Sequence, residues 1–346
     1  GGETKVNEFN SLYFIPSIKL VTDILEHLNF NIIKIDKDNS KLKYRRTVMV
    51  AQRKKTIKNT VFENYKDKHK NERVFLIGNG PSLAETDLNL LKNENTIAMN
   101  RISMIYDKNK DWKPTYYLFS STNVKDKTWG ADWLSSVHSS ISEKSTTSFI
   151  ASTFKEYIDP EDRFKNINWF DSLSQTRPNS KGDITENSFS TNIVDRIDKS
   201  GTTMNLALQL AYHMGFKEIV FIGADLGWTK DLGTKNDPNH FDENYRANIS
   251  NPYKANQQMR NVHKLALSIF NKNKPHVKIY NASIKTVLDT YPIIQFNDYV
   301  KNNKIVNRDE DNKKASLFWE SQVYVAQKKF DALIIKVFNK IKSYLN

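Results

Sequence analysis

Short apolar runs bounded by charged residues or glycine recur along the middle of the chain. The first, Val74-Phe-Leu-Ile77, lies between Arg73 and Gly78. A run of this length is typical of a parallel strand that is buried on both faces of a sheet. Comparable runs predict further strands over residues 95–100, 115–119, 145–150, 218–222 and 277–280.

Apolar residues at helical spacing separate several of these predicted strands. One such pattern runs from Met204 to Met214 and stops at Gly215, a residue type that commonly caps helices. A second helix is predicted from Ala255 to Phe270. This alternation favours an α/β fold with a Rossmann-like, mostly parallel sheet and helices on both faces. In such folds, ligands bind at the carboxyl ends of the strands.

The N-terminal part of the chain follows a different pattern. We predict a helix from Leu12 to Leu28 and a short strand from Asn31 to Ile35. A basic surface helix or connector is predicted over Lys41–Lys70, where apolar residues are sparse. Because the pattern changes abruptly at Arg73, residues 1–72 are predicted to form a helical, basic extension.

The main domain is predicted over residues 73–300, followed by a C-terminal segment over residues 301–346. That segment is predicted to hold an amphipathic, basic helix from about Lys314 to Leu345. Its apolar stripe fits docking against the main domain, which the periodicity favours, and its lysines also fit a membrane surface. Within the main domain, residues 171–200 are rich in Ser, Asn, Thr and Asp, which is typical of a lid or an acceptor loop.

The net charge of +13 is concentrated in two parts of the chain. Residues 41–73 hold twelve Lys and Arg against three acids, and residues 301–346 hold ten against five. These basic ends favour an anionic partner, such as the inner face of a membrane. No motif with interleaved aromatic residues accompanies the charge, so no nucleic-acid partner is expected.

Composition narrows the chemistry. Cys is absent, which excludes disulfides, thiolate zinc sites and a cysteine nucleophile, and agrees with the cytoplasmic location that we expect. Hydrophobic residues make up 38% of the chain, which excludes a disordered protein. The apolar runs are strand-sized, so no transmembrane helix is predicted.

The turn Gly78-Asn-Gly-Pro-Ser-Leu83 directly follows the first predicted strand. Its glycines allow a ligand to approach the backbone, and the Ser82 hydroxyl and helix N-terminal amides suit a phosphate. Leu83 stands where a dinucleotide fingerprint has its third glycine, and no Walker lysine follows. Taken alone, the turn is better explained as a tight connection between strand and helix.

Three further motifs follow later in the chain. Ser200-Gly-Thr-Thr-Met204 precedes a predicted helix and has the residue types of an N-cap. Gly223-Ala-Asp225 ends a predicted strand, where a ribose- or substrate-binding acid is expected. His240 lies in a polar loop after Asp225, and histidine suits a general base near neutral pH. Capping, a turn and a structural histidine are the simpler alternatives.

Together, the order and spacing of these motifs resemble a known group of enzymes. The motifs that carry the resemblance are Val74–Leu83, Met99-Asn-Arg101, Pro114-Thr-Tyr-Tyr117, Ser200-Gly201 and Gly215–Asp225. They resemble bacterial CMP-sialic-acid-dependent sialyltransferases with a GT-A-like fold. They equally resemble the related motility-accessory-factor domain family, which also covers proteins like 6-hydroxymethylpterin pyrophosphokinase. The resemblance covers about residues 73–290.

The resemblance implies an inverting, metal-independent glycosyltransferase of polysaccharide biosynthesis that needs no cofactor. It would move a nonulosonic acid, such as sialic acid or Kdo, from a CMP-sugar to a hydroxyl of a glycan or glycolipid. His240 would deprotonate that hydroxyl, and Ser200 with Gly201 would contact the carboxylate of the sugar. The residues implied to bind the CMP-sugar are Gly78, Asn79, Gly80, Ser82, Asn100, Ser200, Gly201, Thr202, Gly223 and Asp225.

The sequence departs from the sialyltransferases after Asp225. Those enzymes place paired tyrosines there to stabilise the leaving phosphate, whereas this chain has Leu226-Gly-Trp228. Tyr245 and Trp228 are the candidates to replace the tyrosine pair. Arg196 is the nearest counterpart of an arginine that precedes the Ser-Gly pair in the family.

Two alternatives require a metal. A pyrophosphokinase-like enzyme would transfer diphosphate from Mg-ATP to a pterin, and would need carboxylates near the turn after Ile77 that the sequence does not obviously supply. A metal-dependent transferase would use an Asp-x-Asp motif at a strand end. Asp36-Lys-Asp38 and Asp309-Glu-Asp311 have this form, but both lie outside the family-like region.

Overall fold

The computed structural model describes most of the chain between residues 58 and 305 and part of the N-terminal region. The described ranges are 30–37, 47–53, 58–120, 131–158, 166–173, 184–227, 238–245 and 252–305, with four helical positions between Lys19 and Leu25. The chain divides into two compact units, residues 1–57 and residues 58–346.

The described part of the first unit contains an antiparallel hairpin. Strand β1 (Phe30–Lys37) pairs with strand β2 (Thr47–Arg53), with Phe30 opposite Arg53. The first strand confirms the prediction over Asn31–Ile35, and the helical positions near Lys19 fall within the predicted N-terminal helix. The second strand corrects the prediction of a helix or connector, because Thr47, Val48 and Val50 are β-branched residues that favour strands over helices.

Residues 58–72 belong to the second unit. A 3₁₀ helix over Thr60–Tyr65 places Phe62 in the core, with ring centroids 5.5 Å from Phe149 and 5.6 Å from Phe170. The expectation that this stretch lies outside the core was therefore wrong. The division between the units falls after Ile57, before the predicted boundary near residue 72.

A fully parallel, seven-stranded sheet forms the centre of the second unit. Its strands in chain order are β3 (Arg73–Ile77), β4 (Asn95–Met99), β5 (Tyr116–Phe119), β6 (Thr147–Ala151) and β7 (Ile167–Phe170), and then β10 (Glu218–Ile222) and β11 (Lys278–Asn281). The order across the sheet is β11-β10-β3-β4-β5-β6-β7. A small separate parallel pair, β8 (Ser172–Leu173) and β9 (Ile197–Asp198), lies between β7 and β10 in sequence. All six strands predicted for the main domain are present, and β7 was not predicted.

Both faces of the sheet are covered by apolar side chains. Along β3, Val74 and Leu76 join one buried cluster, while Phe75 and Ile77 join the cluster on the opposite face. This alternation explains why the strand is apolar at every position after Arg73.

Helices cover both faces, which confirms the predicted α/β class. The helices are α1 (Ala131–Ile141), α2 (Thr203–Met214), α3 (Pro252–Asn273) and the short α4 (Phe296–Asn302). Residues of α2 and α3 belong to one buried cluster, and residues of α1 and α4 belong to the other. The predicted C-terminal helix over Lys314–Leu345 lies outside the described residues. In the described part of the chain, no helix has both the length and the apolar character that crossing a bilayer requires.

The segment predicted to be a lid or acceptor loop is partly packed. Residues 184–200 include a 3₁₀ turn over Glu186–Ser188 and the strand β9, and the side chains of Phe189 and Ile193 are buried. The intervening residues 174–183 lie outside the described ranges.

The order of the strands reverses between β3 and β10. Strands β4 to β7 lie on one side of β3, and strands β10 and β11 lie on the other side. Ligands of open α/β sheets bind at such a switch point.

Candidate functional site

The loops that follow β3 and β10 meet at the carboxyl edge of the sheet. The backbone N–H of Gly78 donates to the carbonyl oxygen of Ile222 at 2.8 Å, and that of Gly80 donates to the carbonyl of Gly223 at 2.8 Å. Beside these loops lies a cavity of about 250 Å³. The switch point of the sheet thus opens into a space large enough for part of a small ligand.

The glycines of these loops are required by close backbone approach. A Cβ atom on Gly78 would collide with the carbonyl oxygen of Gly223. One on Gly80 would lie 2.6 Å from Asp225 Oδ2. Gly223 itself has a φ of +60°, in the left-handed region that favours glycine. The two turns therefore fit together only without side chains at these positions.

Asn79 connects the glycine turn to its surroundings. Its side-chain Nδ2 donates to the carbonyl oxygen of Met99 at 3.2 Å, while its own carbonyl accepts from the backbone N–H of Phe241 at 3.1 Å. The second contact fixes the loop that carries His240 against the turn. Oδ1 of Asn79 is buried and has no hydrogen-bond partner among the described residues. A buried acceptor of this kind beside a cavity is suited to a ligand N–H group.

Asp225 and Ser82 form a buried pair beneath the glycine turn. The backbone N–H of Ser82 donates to Asp225 Oδ2 at 2.6 Å, and the Ser82 hydroxyl donates to Oδ1. Burial raises the pKa of Asp225 from 3.8 to about 6, and the two hydrogen bonds from Ser82 offset part of that effect. Both carboxylate oxygens thus serve to join the two strand-end turns. Ser82, although predicted to bind the ligand, does not line the cavity.

The raised pKa of Asp225 predicts a pH-dependent stability. Because the folded protein holds the proton more tightly than the unfolded chain, this group favours folding below about pH 4. That contribution is lost as the pH rises to about 6, and it amounts to up to about 3 kcal/mol. We expect Asp225→Asn to flatten the pH dependence of the free energy of unfolding over this window, measured by urea denaturation. The exposed carboxylate variant Asp111→Asn should keep the wild-type slope, and equal slopes in both variants would contradict the prediction.

The N-terminus of α2 forms another wall of the cavity. Ser200 and Gly201 have φ values of +41° and +86°, and Thr202 caps the helix by accepting from the N–H of Met204 at 3.2 Å. Gly201, Thr202 and Thr203 line the cavity. Free amides at the N-terminus of a helix carry partial positive charge and favour anions.

Ser200 does not contribute its hydroxyl to this wall. The Ser200 hydroxyl donates to Asp198 Oδ1 at 2.9 Å and to the carbonyl of Ser188 at 3.1 Å, and the residue is buried. The neighbouring Lys199 lines the cavity instead, and its Nζ donates to the carbonyl oxygen of Ser120. Burial lowers the pKa of Lys199 to about 8.

His240 and Tyr245 stack on each other at a further part of the cavity wall. Their ring centroids are 3.9 Å apart, with an angle of 3° between the planes. Both residues line the cavity, and Trp133 of α1 contacts the Tyr245 ring edge-on at 5.5 Å. The flat stack restrains the imidazole of His240 in one orientation.

Arg101 holds this loop in place from behind. The buried guanidinium donates to the carbonyl oxygens of Tyr245 at 2.6 Å and Asn244 at 3.1 Å. It also lies 5.3 Å from the ring of Trp133 and 5.6 Å from the ring of Tyr245. Asn100, just before it in sequence, lines the cavity and accepts from the Tyr117 hydroxyl through its backbone carbonyl at 2.6 Å.

The structure brings most of the sequence-predicted site residues to one cavity. Those that line it are Gly78, Asn79, Gly80, Asn100, Gly201, Thr202, Gly223, Asp225, His240 and Tyr245. Ser82 and Ser200 are buried beside it, and Trp228 lies outside the described residues. Arg196 does not line the cavity, and its guanidinium donates to Asn187 Oδ1 at 2.8 Å.

Sequence reasoning missed Lys199, Trp133 and His263, which also line the cavity. His263 lies within helix α3 and belongs to no motif that would mark it as a site residue. Burial lowers the pKa of His263 to about 4, and its Nδ1 lies 3.1 Å from the Tyr291 hydroxyl. Adjacency to Ser200-Gly201 was the one signal that could have pointed to Lys199. Among the described residues, no group of three or more His, Asp or Glu side chains is arranged to hold a metal ion.

No protein-family model matches the sequence, and no curated protein is significantly similar to it. Among solved structures, the chain is similar to the MAf glycosyltransferase from Magnetospirillum magneticum AMB-1, with 16% identity and a TM-score of 0.40. The match covers 78% of this chain and 41% of the other, so this chain spans about two fifths of the length of that protein.

Two structures of the sialyltransferase CstII are also similar. One is a complex with a trisaccharide acceptor and CMP, with 18% identity, a TM-score of 0.32 and coverage of 61% of this chain and 80% of the other. The second, from Campylobacter jejuni, is a complex with the substrate analogue CMP-3FNeuAc, with 18% identity, a TM-score of 0.31 and the same coverage. The proteins whose motifs this sequence resembles are thus also among its structural neighbours. At such low identities and TM-scores, these likenesses assign no activity to this chain.

Proposed function

We propose that the chain is a glycosyltransferase that moves a nonulosonic acid from a CMP-sugar to a hydroxyl of a glycan. The observation that carries the proposal is that three elements line the same cavity. These are the glycine turn, the N-terminus of α2 and the His240–Tyr245 stack. These elements supply a backbone platform, a positive wall and a general base around one space. The resemblance of the sequence motifs to CMP-sialic-acid-dependent enzymes supports CMP-sugars as the substrate class.

The glycine turn supports binding of the nucleotide. Gly78 and Gly80 line the cavity, and Asn79 adds a buried acceptor, Oδ1, without a partner among the described residues. The 4-amino group of cytosine is a hydrogen-bond donor that such an acceptor fits. The Asp225–Ser82 pair would hold the platform rigid beneath the ligand, since both of its carboxylate oxygens are already occupied.

The reaction would be a single displacement with inversion. His240 would take the proton of the acceptor hydroxyl while the hydroxyl oxygen forms a bond to the anomeric carbon of the sugar. The bond between that carbon and the phosphate oxygen would break, and CMP would leave with both electrons of the bond. Positive charge near the leaving phosphate can replace a metal in this chemistry.

Ligand-dependent thermal stability tests this assignment. We expect CMP and CDP, without Mg²⁺, to raise the melting temperature, because a ligand at 100 times its dissociation constant adds about 2.7 kcal/mol of stability. If only UDP or GDP shifts the melting temperature, the proposal of a glycosyltransferase stands, but its donor is a different sugar nucleotide. A shift that requires Mg-ATP would replace the proposal by the pyrophosphokinase alternative, and no shift with any nucleotide would contradict both.

A further inference from the structure

Lys199 occupies an unusual electrostatic position in the cavity. Its partly buried side chain lines the cavity wall, and its Nζ donates to the backbone carbonyl of Ser120. No carboxylate lies within ion-pair distance of it among the residues that the structure describes. The adjacent carboxylate of Asp198 is directed to Ser200, accepting from its N–H at 2.8 Å and from its hydroxyl.

A cation in this position is costly unless something compensates it. Removing an ammonium group from water is unfavourable, and proteins normally pair buried charges with an opposite charge. Here the carbonyl of Ser120 gives only a partial compensation, and burial holds the pKa of Lys199 near 8. At neutral pH the side chain is therefore still mostly charged, and an anion that enters the cavity would complete the pair.

The surroundings of Lys199 reinforce its positive field. Gly201 and Thr203, at the N-terminus of α2, line the same cavity, where the helix dipole adds partial positive charge. The other charged group of the wall, Asp225, has both oxygens engaged by Ser82. The cavity thus presents the positive charge of Lys199 to its ligand, whereas the carboxylate of Asp225 is hydrogen-bonded to Ser82.

We propose that Lys199 binds the anionic group at the reacting end of the CMP-sugar, its phosphate or the carboxylate of its sugar. The inference rests on the proposed function and deepens it. It supplies a positive charge for the leaving phosphate in a chain that lacks the paired tyrosines of the sialyltransferases. It also replaces the predicted role of Ser200, whose hydroxyl is directed to Asp198 and Ser188.

Calorimetric binding of three ligands tests the inference. The ligands are cytidine, CMP and a non-transferable CMP-sugar analogue that carries a carboxylate. If Lys199 binds the phosphate, Lys199→Gln should lower the affinity for CMP at least about tenfold and leave the affinity for cytidine unchanged. If Lys199 binds the carboxylate, the variant should lose affinity only for the analogue. Lys199→Arg keeps the charge and should retain most of the affinity, and the exposed variant Lys108→Gln should bind like the wild type.

The outcomes separate this inference from the proposed function. If the wild type binds neither CMP nor the analogue, the proposed function fails and the inference with it. If the wild type binds CMP and Lys199→Gln binds all three ligands equally well, the function stands and the inference fails. Equal weakening of all three ligands, cytidine included, would indicate a structural role for Lys199. Lys199→Met provides a second neutral variant if the glutamine variant is poorly folded.

Discussion

Replacing His240 with glutamine is expected to slow glycosyl transfer by about 10²–10⁴-fold, the usual contribution of a general base. Glutamine is neutral and planar, so it can keep contact with the Tyr245 ring, which lies 3.9 Å from the imidazole. It cannot accept the proton of the acceptor hydroxyl at neutral pH. CMP affinity should therefore stay close to that of the wild type, measured by calorimetry beside the transfer rate.

Two variants serve as controls for His240. His138, on α1, contacts the carbonyl of Tyr157 at 3.2 Å and does not line the cavity, so His138→Gln should transfer at the wild-type rate. Tyr245→Phe keeps the stacked ring and removes only the hydroxyl, which isolates any role of that hydroxyl in leaving-group departure. Unimpaired transfer by His240→Gln, or an equal loss of transfer and CMP affinity, would refute His240 as the base.

The second large effect is expected for Gly78→Ala. The added Cβ would collide with the carbonyl oxygen of Gly223, which also accepts the hydrogen bond from the Gly80 N–H. Backbone atoms cannot rotate away as a flexible side chain can, so we expect a loss of about 3 kcal/mol of stability, the upper part of the range for overpacking. Because the two turns would be forced apart at the cavity, CMP affinity should fall at least about tenfold. Urea denaturation and calorimetry measure the two effects.

A strained glycine elsewhere provides the comparison for Gly78. Gly215 has a φ of +82° at the C-terminus of α2, the end opposite to the helix terminus that lines the cavity. Gly215→Ala should cost about 1–2 kcal/mol through left-handed strain, and somewhat more because its Cβ would lie 2.9 Å from Asp67 Oδ1. Its CMP affinity should match the wild type. If both alanine variants keep full affinity, the close approach of the two turns does not shape the ligand site.

The sheet could be predicted from sequence because burial on two faces leaves a local signal. Every residue from Val74 to Ile77 is apolar, and β5 and β10 repeat such a run, whereas Asn168 interrupts the run of β7, which was not predicted. Phe62 left no comparable signal, since an aromatic residue in a mostly polar, basic stretch acquires its core position through contacts with distant residues such as Phe149 and Phe170. Similarly, the basic residues around β2 hid its strand pattern in the sequence. Its pairing with β1 became apparent only in the structure.

The candidate site was predictable where its residues belong to motifs. The glycine turn, Asp225 and His240 each follow a strand end or its loop, and parallel strands bring such ends to one edge. The roles of individual side chains were less accessible. The Ser82 hydroxyl is directed to Asp225, which is far away in sequence. The Ser200 hydroxyl is directed to Asp198 by the local conformation of the backbone. Neither arrangement can be read from a motif. Lys199 became visible only when β9 placed it beside Ser120, at the end of β5.

The position of β3 in the sheet has a consequence for synthesis of the protein. Its neighbours are β4, which follows directly, and β10, which is translated much later. Until Glu218–Ile222 has left the ribosome, one hydrogen-bonding edge of β3, which is apolar at every position after Arg73, stays open. Nascent chains can aggregate through such edges. The late strand thus covers the open edge of the early one in the same step that brings Gly223 against Gly78, so closure of that edge and formation of the cavity coincide.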